Sequence, residues 1–65
     1  MLHYRFIFIG APGCCESFET DCETDASALL LARRMLTRRP EYEAVEVWQN
    51  SRRIHAELRH RVEQH

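Results

Sequence analysis

The chain is predicted to fold as one α+β domain, a ββαββ two-layer arrangement in which a single helix covers one face of a four-stranded antiparallel sheet. Three observations predict it. Residues 24–40, TDASALLLARRMLTRRP, carry the one long apolar pattern of helical period in the sequence. The segments on either side alternate with period two, as strands do. At 65 residues, with 45% hydrophobic and 29% charged side chains, the composition is globular and allows one small core.

In β1, over residues 3–9, Tyr4, Phe6 and Phe8 fall on one face and Arg5, Ile7 and Ile9 on the other. Both faces are largely apolar, which predicts a central strand. Gly10-Ala11-Pro12-Gly13 then supplies turn chemistry, with proline fixing one φ and glycine free to take positive φ. The Gly-x-x-Gly spacing also clamps nucleic-acid backbones, but that use needs flanking helices, and here strands flank it.

Residues 14–21 alternate more weakly, placing Cys14, Glu16, Phe18 and Thr20 opposite Cys15, Ser17, Glu19 and Asp21. This predicts β2 as an edge strand protected by acidic groups. The helix follows. Ala28, Leu29, Ala32, Met35 and Leu36 share an apolar arc with Leu31 at its border, while Leu30 points the opposite way. Thr24 or Asp25 can cap the first turn, and Arg38 and Arg39 suit the negative end of the dipole. Pro40 stops the helix near Arg38.

Residues 44–57 predict a hairpin. A two-residue turn at Asn50-Ser51 sets Gln49 opposite Arg52, Trp48 opposite Arg53, Val47 opposite Ile54 and Val45 opposite Ala56. Val45, Val47, Ile54 and Ala56 then share one face, and Glu46, Trp48, Arg53, His55 and Glu57 the other. Residues 58–65 form a tail in which Leu58 and Val62 have helical spacing, so a short C-terminal helix is expected beyond a domain spanning 1–57. A right-handed crossover from β2 through the helix to β3 leaves a gap that β1 fills. The predicted strand order is 2-1-3-4, with a core of Tyr4, Phe6, Phe8, Phe18, Leu29, Ala32, Leu36, Val45, Val47 and Ile54.

The Tyr-Arg-Phe opening strand, the acidic edge, the Ala-Arg-Arg of the helix and Val45-Glu46-Val47-Trp48 followed by Arg52-Arg53 together resemble short uncharacterised proteins common in bacterial genomes. The resemblance runs to about Ala56. Those proteins often carry Gly in the last turn, where this chain has Asn50-Ser51. The shared motifs are structural, so the resemblance implies the fold and no activity.

Net charge is −1, unevenly spread. Residues 1–31 hold one arginine against five acids, and residues 32–65 hold eight arginines against five glutamates. Three adjacent pairs, Arg33-Arg34, Arg38-Arg39 and Arg52-Arg53, read either as a solvated basic surface or as phosphate contacts. The apolar run in MLHYRFIFIG is too short for a signal peptide or a membrane span. An odd cysteine count argues against a secreted disulfide framework, and a cytoplasmic location is expected.

The chemical motifs are sparse. Cys14 and Cys22 on one extended strand would lie roughly 26 Å apart, too far to share a metal, and the vicinal Cys14-Cys15 pair is strained for a disulfide. No ordered Ser or Cys, His and acid constellation marks a nucleophile. No catalytic, cofactor-binding or metal residue is assigned, no cofactor or small-molecule substrate is expected, and an enzyme is not.

The informative surface is the sheet face away from the helix. There Ile7, Ile9 and Trp48 form an apolar patch ringed by Arg5, Glu46, Arg53 and His55. Three uses compete: a homodimer through this face, cover by the C-terminal segment through Leu58 and Val62, or a single-stranded nucleic acid stacked on Trp48 and held by arginines. The expectation is a non-enzymatic interaction or structural module that self-associates, with the nucleic-acid binder as the alternative.

Overall fold

In the computed structural model of the chain, which describes residues 1–12 and 15–59, strands β1 (Leu2–Gly10) and β2 (Cys15–Cys22) precede helix α1 (Asp25–Thr37), and strands β3 (Tyr42–Gln49) and β4 (Arg52–Leu58) follow it. The sheet order is β2-β1-β3-β4, antiparallel throughout. This is the α+β arrangement predicted. The sheet is open, with α1 on one face.

Local chemistry explains the helix ends. Thr24 has extended backbone, and its hydroxyl oxygen accepts from the Ser27 amide at 3.1 Å, which satisfies one unpaired donor of the first turn. Asp25 lies in that turn and accepts the hydroxyl proton of Tyr4 at 2.5 Å, tying the helix start to the centre of β1. Arg38 closes the other end two residues before Pro40.

The buried core consists of Tyr4, Phe6, Phe8, Cys22, Ala28, Ala32, Leu36, Tyr42, Val45 and Val47. Two fully buried alanines let α1 settle closely on the sheet, mainly over β3. Tyr4 and Tyr42 belong inside because their hydroxyls donate to Asp25 and, at 2.8 Å, to Glu16. Burial and the hydrogen bond to Asp25 push the Tyr4 phenol up to about 12. Leu29, Leu31, Met35 and Ile54 pack at the margin.

Phe18 departs from expectation. It shares the helix side of the sheet opposite Phe6, yet it is 41% exposed. A helix about 10 Å across covers roughly two strands spaced 4.8 Å apart. Since α1 packs most closely over β3 and touches β1 and β2 more lightly, Phe18 on the edge strand keeps much of its ring exposed while Cys22 on the same strand is buried.

The β3–β4 register is the second departure. Gln49 faces Arg52 and Trp48 faces Arg53, as predicted for a two-residue turn, but Val47 faces His55, Glu46 faces Ala56 and Val45 faces Glu57. Ile54 is therefore a bulge residue, and Ile54 and His55 together oppose Val47. The one-residue shift reverses the faces of all that follows. Ile54 stays against the core, Ala56 moves to the open face, and His55 and Glu57 move to the helix face. Glu57 there meets Arg33 at 3.3 Å and His55 at 2.9 Å. In the turn Asn50 takes φ 58° while Ser51 does not take positive φ, which excludes a type I′ turn, since that needs positive φ at both central residues.

A second irregularity lies between Ile9 and Gly10, where β3 skips Glu43. A side chain on Gly10 would place its Cβ 2.5 Å from the Glu41 carbonyl oxygen, so the strand crossing requires glycine.

β4 continues through Leu58, and Arg59 is tied into the domain. Its amide donates to the Glu43 carbonyl at 2.6 Å. Its guanidinium donates to the carbonyls of Tyr42 at 2.9 Å, Arg39 at 2.6 Å and Leu36. The side chain thereby caps the C-terminal end of α1 from across the fold. Residues 60–65, including the rest of the expected C-terminal helix, lie outside the described residues, as do Gly13 and Cys14.

Candidate interaction surface

Alternation along four paired strands arranges the open face in rows. Glu19, Arg5, Trp48 and Arg53 form one row from β2 to β4; Ser17, Ile7, Glu46 and Ala56 form the next; Cys15, Ile9, Ala44 and Leu58 form the third. His3 and Asp21 extend the charged end beyond the first row. Arg5, Ile7, Ile9, Glu46, Trp48 and Arg53 thus share one surface, as predicted. His55 does not belong to it, because the bulge at Ile54 turns it to the helix side.

The face has two halves. At the charged end His3 bridges Asp21 at 2.9 Å and Glu19 at 2.8 Å, and Arg5 approaches Glu19 at 3.5 Å. The hydrogen bonds to Asp21 and then Glu19 hold His3 above its ordinary pKa. The bond from His3, followed by the charge of Arg5, holds Glu19 below the usual carboxylate range. Glu46 has both carboxylate oxygens engaged: one accepts the Trp48 indole N–H at 3.0 Å, the other Arg53 at 3.3 Å. Trp48 is partly buried.

The other half is apolar. Ile7, Ile9, Ala44, Ala56 and Leu58 adjoin one another, with Ile9 38% and Leu58 77% exposed. Ala44 and Ala56 escaped the sequence reading, and Leu58, expected in a tail that covers this face, is instead part of it in β4; only the bulge brings the last two here. Exposed Cys15 borders this half, while Cys22 at the other end of β2 is buried and its thiol pushed up by burial.

The arginine pairs split. Arg33 turns to Glu57, and Arg39 turns to Glu16 at 3.2 Å with its guanidinium 5.6 Å from the centre of the Phe8 ring. Arg34 and Arg38 stay exposed on the outer side of α1. Among the described residues, no group of three His, Cys, Asp or Glu side chains is placed to hold a metal ion, and no helix is long and apolar enough to cross a membrane.

Comparison of the chain with family models, with characterised proteins and with solved structures gave no match.

Proposed function

We propose that the domain is a non-enzymatic interaction module of the cytoplasm that associates with a second copy of itself through the open face of its sheet. The observation that supports this reading is that, among the described residues, no second layer covers the open face. A sheet apolar on both sides needs cover on both. The helix serves one side, and the other presents Ile7, Ile9, Ala44, Ala56 and Leu58 as continuous apolar ground beside Trp48. The likeness to short bacterial proteins assigns no activity that competes with this.

Binding of single-stranded nucleic acid is the weaker reading. The two arginines of the face are already paired with Glu19 and Glu46, and Asp21 adds negative charge where phosphates would lie.

Sedimentation equilibrium over a range of concentrations tests the proposal. The wild-type mass should rise toward twice the monomer value, whereas Trp48→Glu should remain monomeric. Leu58→Glu is the second variant, since its exposed position tolerates a charge without loss of folding. A wild type that stays monomeric throughout would overturn the reading. Salt-sensitive quenching of Trp48 by short single strands would favour the alternative.

A further inference from the structure

The charges on the open face are ordered across the strands. Glu19 and Asp21 lie on edge strand β2, Arg53 lies on edge strand β4, and Arg5 and Trp48 stand between them in the same row. Resting on the self-association proposed above, we infer that two copies stack face to face about a two-fold axis parallel to the strands, so that Glu19 of each faces Arg53 of the other and Arg5 of each faces Trp48 of the other.

Two in-plane axes bring a sheet against its own copy with strands aligned. An axis perpendicular to the strands sets β2 over β2 and β4 over β4 but reverses the rows, so that Glu19 and Arg53 of the first row meet Cys15 and Leu58 of the third and Glu46 meets its own copy, which opposes association. An axis parallel to the strands exchanges the edges and sets β2 over β4. Within the first row, Glu19 then meets an arginine and Arg5 meets the indole face, an ion pair and a cation–π contact formed twice by symmetry. In the third row, Ile9 meets Ala44 and Cys15 meets Leu58, apolar against apolar.

Glu46 is the one carboxylate carried toward the middle of this interface, opposite Ile7. Its two oxygens are already held by Trp48 and Arg53, so its burial leaves no orphaned charge. Aligned packing of two twisted sheets at about 30° preserves the row-on-row correspondence. Four strands spaced 4.8 Å apart and about seven residues long give a face of about 19 by 23 Å, or about 900 Å² for the two copies together, the size of a weak and reversible interface. At that size, the charge order has room to choose the orientation.

Charge reversal separates this geometry from self-association in general. E19R sets arginine against Arg53 at two places in its homodimer, and R53E sets carboxylate against Glu19 at two places. Each variant alone should associate at least about tenfold more weakly than wild type. Mixed in equal amounts, the two variants regain both ion pairs in a heterodimer, which should associate at least about tenfold more tightly than either variant alone but below wild type, because R53E leaves one Glu46 oxygen without its arginine. Glu19 and Arg53 side chains are 50% and 53% exposed, so the fold should tolerate both changes. The neutral pair E19Q and R53Q, each weakening association in its own homodimer, serves as the milder control. A mixture no tighter than either variant alone, or single variants as tight as wild type, would overturn the axis while leaving self-association standing. A wild type that never dimerises would remove both.

Discussion

Val47 faces His55, not Ile54, across the β3–β4 ladder. That single relationship decides which side chains reach the open face. It carries Ala56 and Leu58 outward beside Ile9 and Ala44, and it brings Glu57 under α1 to Arg33. Cross-strand proton contacts should therefore join Val47 to His55 and Val45 to Glu57. A ladder joining Val47 to Ile54 and Val45 to Ala56 would remove the bulge, and with it Ala56 and Leu58 from the apolar half of the face.

Arg59 caps the helix end with its guanidinium on three backbone carbonyls. Arg59→Ala should leave these acceptors short of donors and cost about 2 kcal/mol. In a domain of this size that lowers the melting temperature by roughly 10 °C. Arg59→Lys should recover only part of the loss, because an ammonium cannot span the same acceptors. Thermal unfolding followed by circular dichroism reads both.

Phe8 and Phe18 lie on the same side of the sheet but differ in cover, Phe8 fully buried and Phe18 41% exposed. Phe8→Ala should cost about 3–5 kcal/mol, enough to unfold a marginal domain. Phe18→Ala should cost about 1 kcal/mol. Equal losses in denaturant titrations would mean that Phe18 is as well covered as Phe8.

Gly10→Ala should also destabilise, since the added methyl meets the Glu41 backbone and not a movable side chain. The expected loss is about 1–3 kcal/mol with an unchanged denaturant slope. An unchanged unfolding midpoint would show that β1 and β3 cross less closely there.

The His3, Asp21 and Glu19 cluster gives the charged end a pH signature. His3 has its folded pKa raised above 6.5, so its contribution to stability is full below that value and is lost as pH rises through the raised pKa. Glu19 has its folded pKa lowered below 4.5, so its contribution is present above that value and is lost as pH falls through the lowered pKa. The cluster thus favours folding most in mildly acidic solution. NMR titration of the His3 ring should place its midpoint above 6.5, and His3→Gln should flatten the decline on the alkaline side.

What the sequence made legible was what local rules control. The alternation of Tyr4, Phe6 and Phe8 against Arg5, Ile7 and Ile9, the cap at Thr24, the stop before Pro40 and the strand order all depend on near neighbours or on handedness. The bulge depends on how two strands settle on a shared helix, and nothing in the alternation of residues 52–58 marks it. His55 was therefore placed on the wrong face, Ala56 was missed, and Leu58 was assigned to a covering tail rather than to β4. Phe18 was misjudged for a different reason: alternation gives its face correctly, but one helix is too narrow to cover four strands. Arg59 acts on carbonyls 16 to 23 residues away in sequence, a reach no local pattern records.

The emission of Trp48, the sole tryptophan, tests most directly whether a second copy covers the open face. If it does, dilution from millimolar to sub-micromolar protein should move the emission maximum to longer wavelength as the indole meets water, in step with dissociation seen by sedimentation. An emission maximum fixed across that range would contradict self-association through this face.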